Sequence, residues 1–194
     1  MIACNTASSY ALKSVQSKVS VPVFDVINPC VQKVANANSE AIAILGTEKT
    51  IESKIYCQSI NLLNSKIKIY NQACPLFVPI VEEGLENHNI AHMTTKLYLE
   101  SINSLDIDTI ILGCTHYPML INTIKRVIDS NIFIIDTGVA VSKDLMNIID
   151  TKTQHSNITF KHEYYVSDMP YRFHELASKF LDQKVNNVRC VEFR

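Results

Sequence analysis

The sequence predicts an α/β fold, because short β-branched runs alternate with amphipathic stretches of helical spacing. Glycine is scarce, with four residues in 194. A chain of this length buries roughly 70% of its unfolded surface, so it can form a core without disulfide bonds. Helices fit between most of the predicted strands, which lie at residues 21–27, 41–45, 67–70, 108–112, 132–135, 158–166 and 188–193.

Composition and charge exclude several classes of protein. Hydrophobic residues make up 47% of the chain, charged residues 19%, and the formal net charge is −1. This balance is typical neither of a disordered tail nor of a nucleic-acid-binding surface. The longest apolar run, residues 76–81, is far shorter than the ~20 residues of a membrane-spanning helix. We therefore expect a soluble protein with no nucleic-acid or membrane partner.

Two cysteines lie in similar surroundings 110 residues apart. Cys4 and Cys114 each end a short apolar run and each precede a predicted helix. The positive end of a helix dipole stabilises a thiolate at the helix N-terminus, and ligands of α/β folds bind beyond the carboxyl ends of the strands. We predict that these two thiols face one bound molecule.

The helices that follow the two cysteines have recognisable starts. After Cys114, Thr115 is expected to cap a helix that has Pro118 in its first turn, with one apolar face formed by Leu120, Ile124 and Ile128. After Cys4, Asn5 or Thr6 is expected to be the cap.

The other four cysteines are predicted to be ordinary buried thiols: Cys30, Cys57, Cys74 and Cys190. Six cysteines without a CxxC pair suit reduced thiols in a cytoplasm better than a disulfide framework. A zinc site built from Cys4, Cys114 and His116 is conceivable, but closely spaced ligand pairs of the usual kind are missing. We expect no metal.

Five segments resemble glutamate racemase and follow the order of that family. They are residues 3–7 (Ala-Cys-Asn-Thr-Ala), 46–56, 74–84, 112–118 (Leu-Gly-Cys-Thr-His-Tyr-Pro) and 135–138. The resemblance implies two pseudo-symmetric parallel-sheet α/β domains with the active site between them. It also implies a cofactor-independent cytoplasmic enzyme that makes D-glutamate for peptidoglycan.

The implied domains are not continuous in sequence. Residues 1–27 are expected to be a remnant of an outer α/β domain, residues 28–135 a middle α/β domain, and residues 136–194 the C-terminal part of the outer domain. Glutamate racemases carry about seventy more residues before the Ala-Cys-Asn-Thr motif, so we expect an exposed sheet edge and an uncovered apolar face here. On that basis the 194-residue chain is expected to be a poor catalyst by itself.

Inverting an amino acid at Cα requires a base on one face and an acid on the other. Cys4 and Cys114 fit these two roles. By resemblance, His116 assists Cys114, and Glu82 lies near the site as a polar partner, although Glu83 is an alternative. The resemblance also carries ligand binding onto four residues that are equally suited to be helix caps, namely Asn5, Thr6, Thr50 and Thr115.

Three other functions stay open at this point. An aspartate racemase of the same superfamily is the nearest alternative, although residues 114–118 favour the glutamate branch. A non-catalytic remnant that binds an amino acid is the second. A thiol-dependent hydrolase, which needs an acylated cysteine, is the third and a different reaction class. A homodimer is considered, but the sequence does not decide the oligomeric state.

Overall fold

The computed structural model describes residues 1–148 and 162–192, and the chain divides into two compact units, Met1–Asp150 and Thr151–Arg194. The first unit contains a parallel four-stranded sheet of strand order β2-β1-β3-β4. These strands are β1 (Ala41–Gly46), β2 (Lys68–Ala73), β3 (Thr109–Gly113) and β4 (Phe133–Asp136). Both the α/β class and the parallel sheet agree with the sequence prediction.

Helices precede, connect and follow the strands of the first unit. They are α1 (Asn5–Gln16), α2 (Asn28–Asn36), α3 (Glu48–Glu52), α4 (Ile55–Leu63), α5 (Phe77–Glu82), α6 (Asn89–Asn103), α7 (Ile121–Lys125) and α8 (Thr137–Ile148), with a 3-10 helix at Tyr117–Leu120. None of the helices in the described ranges has both the length and the apolar content needed to cross a lipid bilayer.

The two central strands β1 and β3 are buried at every position. Side chains alternate between the faces of a strand, so each strand contributes to two apolar clusters. One cluster contains Leu45 and Leu112 packed with Phe77 and Tyr117. The other contains Ile44, Ile111 and Ile135 with Val34 and Tyr56, among other residues. This two-sided burial explains why these strands were predictable as continuous apolar runs.

The second unit is a small βαβ arrangement. Strands β5 (Tyr164–Val166) and β6 (Val188–Cys190) pair in parallel, and α9 (Pro170–Phe180) lies between them in sequence. The predicted strands 158–166 and 188–193 are confirmed over these shorter ranges, while residues 158–161 and 193 lie outside the described residues.

The predicted strand at residues 21–27 is wrong. Only Asp25 pairs there, in an isolated parallel bridge to Ile2. The Asp25 carboxylate accepts hydrogen bonds from the backbone N–H groups of Ile27 and Asn28, at 2.8 and 3.0 Å. These bonds turn the chain into α2 instead of extending it, because a side chain that binds nearby backbone groups competes with strand pairing.

The helix predicted after Cys114 is not one continuous α-helix. The chain first makes i to i−3 bonds, from Tyr117 N to the oxygen of Cys114 and from Met119 N to the oxygen of His116, both 3.1 Å. The short helix α7 follows. The predicted apolar face is nevertheless confirmed, because Leu120, Ile124 and Ile128 are all buried.

Candidate active site

Cys114 directly follows β3 and is 6% exposed. Burial is the main cause that raises the pKa of its thiol to about 11, and nearby Cys4 adds to the rise. Hydrogen bonds from the backbone N–H groups of His116, Tyr117 and Thr115 act in the opposite direction. With no ligand bound, Cys114 is therefore a protonated thiol at neutral pH.

A chain of polar contacts leads from the Cys114 thiol toward solvent. His116 Nδ1 lies 3.9 Å from Cys114 Sγ, and His116 Nε2 lies 3.3 Å from Glu82 Oε1 at the end of α5. The side chains of His116 and Glu82 are 28% and 33% exposed. Both side chains are therefore partly accessible to water, and one of them contacts a buried thiol.

Cys4 is the N-cap of α1, with extended backbone angles, and its Sγ accepts a weak hydrogen bond of 3.5 Å from the N–H of Ala7. Its side chain is exposed. The expectation that Asn5 or Thr6 would cap this helix is wrong, because both lie inside its first turn. The cysteine itself occupies the capping position, so its sulfur lies at the positive end of a 12-residue helix.

A direct hydrogen bond joins the two cysteine segments. The Thr115 hydroxyl donates to the backbone oxygen of Ala3 at 3.1 Å. Thr115 therefore does not cap the helix after Cys114, contrary to the sequence prediction. The bond holds the residue after one cysteine against the residue before the other.

Asn5 is 1% exposed. Its Oδ1 accepts a hydrogen bond of 2.6 Å from the hydroxyl of Tyr56 in α4. Its Nδ2 is buried without a hydrogen-bond partner among the described residues. An unsatisfied buried donor is uncommon and costly, and a ligand acceptor is one way to satisfy it.

Three threonine hydroxyls form a closed triangle beside the start of α1. Thr6 Oγ1 lies 2.9 Å from Thr47 Oγ1 and 3.1 Å from Thr50 Oγ1, and the last two atoms are 3.0 Å apart. Thr47 is also the N-cap of α3 and accepts from the N–H of Thr50. The triangle brings together Thr6 and Thr50, for both of which the sequence predicts a binding role.

Sequence reasoning missed Thr47 and Tyr56 as members of this site. Both lie inside the 46–56 motif, but neither residue type marks a binding role by itself. Their contacts to Thr6 and Asn5 join residues 41 and 51 positions apart. The signal available was their position in a motif that also contains Thr50.

The remaining cysteines fall into two groups. Cys30 and Cys74 are buried as expected, and burial raises the pKa of Cys30 to about 12. The expectation of burial is wrong for Cys190, which is exposed, and Cys57 is only half-buried. Within residues 1–148 and 162–192 no group of three or more His, Cys, Asp or Glu residues could hold a metal ion.

Comparison with known proteins places the chain among racemases. Residues 1–143 match the family model described as Asp/Glu/Hydantoin racemase. A glutamate racemase of Geobacter metallireducens is 35% identical over 191 residues, which are 97% of this chain and 71% of the relative.

Two solved structures resemble this fold closely. A glutamate racemase isoform from Bacillus anthracis superposes with a TM-score of 0.88 at 31% identity, over 98% of this chain and 72% of that one. A Francisella tularensis glutamate racemase in complex with D-glutamate gives a TM-score of 0.87 at 31% identity, over 97% and 71% of the two chains. Matching motifs, fold and extended sequence identity agree, and the chain belongs to the Asp/Glu/hydantoin racemase family, in its glutamate racemase branch.

Proposed function

We propose that this protein interconverts L- and D-glutamate by a two-thiol mechanism that needs no cofactor. The observation that carries the proposal is the pair of thiols on adjoining segments, joined by the bond from Thr115 to Ala3. The similarity to a glutamate racemase described in complex with D-glutamate supports glutamate as the substrate. In a bacterial cell the product would supply peptidoglycan synthesis and so contribute to cell-wall biogenesis and cell shape.

In this mechanism Cys4 and Cys114 act on opposite faces of Cα. One thiolate removes the proton and the other thiol donates a proton to the opposite face, so the two cysteines exchange roles when the reaction reverses. At neutral pH Cys114 starts as the acid, because burial raises its pKa to about 11. Cys4, which is exposed at a helix N-terminus, is then the base for the first turnover.

Cys114 must become a base when it deprotonates the other enantiomer. His116 Nδ1 is 3.9 Å from its sulfur and serves as the group that assists the proton transfer. Glu82 pairs with Nε2 of the same ring and fixes the orientation of the ring, as a carboxylate hydrogen-bonded to a catalytic histidine does. Glu82 rather than Glu83 is therefore our choice for this role.

The polar groups around the start of α1 suit the charged groups of an amino acid. The Asn5 amide donor lacks a hydrogen-bond partner among the described residues, and the hydroxyls of Thr6 and Thr50 contact each other beside it. Unsatisfied N–H groups of a helix start attract a carboxylate. We assign binding of the substrate's ammonium and carboxylate groups to Asn5, Thr6, Thr50 and Thr115.

A thiol hydrolase is the second candidate, favoured by the Cys114, His116 and Glu82 chain, which has the order of nucleophile, base and orienting acid. It leaves Cys4 without a role. If the protein is a hydrolase, an activated ester or amide should acylate Cys114, and mass spectrometry should detect the acyl-enzyme. If it is a racemase, protons should exchange at Cα without hydrolysis.

The decisive experiment is racemisation of glutamate in heavy water, followed by NMR and chiral chromatography. Each thiol contacts one face, so early product should carry deuterium at Cα while unreacted substrate stays protiated. Equal early labelling of both enantiomers would contradict two separate bases. Aspartate serves as the parallel substrate, and faster exchange of aspartate than glutamate would favour the aspartate racemase. Binding of glutamate without any exchange would favour a non-catalytic protein.

Further properties follow from the same proposal. We place the protein in the cytoplasm, assign residues 28–135 to a middle domain flanked by 1–27 and 136–194, and propose a homodimer. Light scattering after size-exclusion chromatography measures the mass of the particle, and a single peak at the monomer mass would contradict the dimer. Activity that survives dialysis against a chelator is expected for an enzyme without a metal cofactor.

A further inference from the structure

We propose that Tyr56 is a positioning residue that fixes the orientation of the Asn5 side-chain amide toward the substrate. The kinetic part of this inference rests on the proposed function. The part that concerns the orientation of the Asn5 amide rests only on the contacts of Tyr56, which need no substrate. Tyr56 itself contacts no reacting atom in this scheme. It acts through Asn5, the residue that follows Cys4.

Tyr56 lies in the first turn of α4 and reaches across to α1. It is 2% exposed, and its hydroxyl lies 2.6 Å from Asn5 Oδ1. Burial raises the pKa of this phenol well above its ordinary value, so the group stays protonated at physiological pH. A protonated hydroxyl opposite the amide oxygen donates its hydrogen bond to that oxygen.

This bond decides which end of the amide faces the site. The two ends of an asparagine amide are nearly equal in shape but opposite in hydrogen-bonding character. While Tyr56 holds the oxygen, Nδ2 occupies the other end, where it has no hydrogen-bond partner among the described residues. Without the hydroxyl, the Asn5 amide is free to turn over and present an acceptor to a carboxylate, which is repulsive.

The same tyrosine also contacts the other cysteine segment. Gly113 precedes Cys114, and a Cβ atom added there would lie 3.4 Å from Tyr56 Cε2 and only 2.9 Å from the backbone oxygen of Leu45. Glycine thus lets β3 approach both β1 and the tyrosine ring. Tyr56 therefore bonds to Asn5, which follows Cys4, and packs against Gly113, which precedes Cys114.

The test is Tyr56→Phe, which removes the hydroxyl and keeps the ring. We expect KM for both enantiomers of glutamate to rise about tenfold, because one charge-binding donor is misoriented. The expected change in kcat is smaller, at most about threefold. Tyr98→Phe is the matched control: its hydroxyl accepts from the N–H of Leu76 at 3.2 Å, so the variant loses one hydrogen bond elsewhere and should keep the KM of the unmodified chain.

A double-mutant cycle with Asn5→Ala distinguishes an effect of Tyr56 that acts through Asn5 from a general loss of packing around the site. If Tyr56 acts through Asn5, Tyr56→Phe should have no further effect on KM in the Asn5→Ala background. In NMR spectra of ligand-free protein, the side-chain amide resonance of Asn5 is identified by its loss in Asn5→Ala. Its chemical shift should change in Tyr56→Phe and stay the same in Tyr98→Phe.

The role of Tyr56 would be overturned if the chemical shift of the Asn5 amide did not change in Tyr56→Phe. It would also be overturned if Tyr56→Phe changed KM equally in the presence of Asn5 and in the Asn5→Ala background. Absence of any glutamate racemisation by the unmodified chain would instead contradict the proposed function. The amide signal would still report on Tyr56 in that case, because its measurement needs no substrate.

Discussion

The two cysteine segments begin from similar sequence patterns and end in different environments. Cys4 caps a regular 12-residue helix and is exposed. Cys114 follows a strand buried at every position and precedes a 3-10 turn, and it is 6% exposed. A shared pattern of apolar run, cysteine and helix therefore predicts where a thiol lies but not how much water reaches it.

The difference suits a reaction that uses two thiols in opposite states. Burial raises the pKa of Cys114 to about 11 and keeps it protonated, and His116 and Glu82 form its route to solvent. Cys4 is exposed to solvent directly. A racemase built in this way would have one thiol that is ready to donate a proton and another that is accessible to accept one.

The largest expected effect comes from removing either thiol. Cys4→Ala and Cys114→Ala should each lower the rate of glutamate racemisation in both directions by about 10³-fold or more, because every turnover needs a group on each face. Chiral chromatography of the reaction mixture measures the rate. Cys190→Ala, at an exposed cysteine of the second unit, is the control and should keep full activity. Substantial activity in either of the first two variants would remove that cysteine from the mechanism.

The second prediction concerns which of the two thiols is alkylated faster. At pH 7.5 iodoacetamide should modify Cys4 about a hundredfold faster than Cys114, because only the thiolate reacts and Cys114 is both buried and raised in pKa. Peptide mass spectrometry at successive times measures both rates. Cys74, which is fully buried, gives an internal reference for an inaccessible thiol. Faster labelling of Cys114 than of Cys4 would reverse the assigned resting states.

Much of the fold was predictable because its central strands are apolar on both faces. β1 and β3 match predicted runs to within a residue at each end. β2 extends three residues beyond its predicted end, through polar Asn71 and Gln72, because β1 supplies backbone partners in register with them. Pairing with a neighbour is a tertiary effect that a single run of residues does not reveal.

The sequence alone proposes the thiols and Thr50 as site residues, because they belong to motifs that resemble those of the family. It does not reveal the contacts around them. Tyr56 and Thr47 are joined to the predicted site residues Asn5 and Thr6, which lie 51 and 41 positions away in sequence. Such bonds depend on how α1 packs beside α3 and α4, and no local pattern encodes that packing.

The third prediction concerns stability at alkaline pH. The pKa of Cys114 rises from 9.0 to about 11 on folding, so its protonated form stabilises the fold below about pH 9, and that contribution is lost as pH rises toward 11. The loss is of the order of 2 kcal/mol in the free energy of unfolding. Urea unfolding between pH 8 and 11 should therefore show a shallower decline for Cys114→Ala than for Cys4→Ala.

This comparison uses the slope with pH and not the absolute stability, because Cys114→Ala also removes packed atoms. Cys30, whose pKa burial raises to about 12, adds the same background decline to all variants. Equal slopes in the two variants would show that the Cys114 thiol is no better shielded from water than that of Cys4.

The last prediction concerns Glu82, which pairs with His116 beside Cys114. Glu82→Gln removes the charge beside His116 Nε2, now 3.3 Å away, and keeps the size of the side chain. We expect kcat to fall about fivefold with little change in KM, because the assisting group acts in the proton transfer and not in binding. The Cα-deuterium isotope effect should rise for one enantiomer only, the one that Cys114 deprotonates, since that step alone becomes slower. Glu83→Gln, at the next position, is the matched variant. A larger loss in Glu83→Gln, or an isotope effect that rises equally for both enantiomers, would show that Glu82 does not serve the Cys114 side of the reaction.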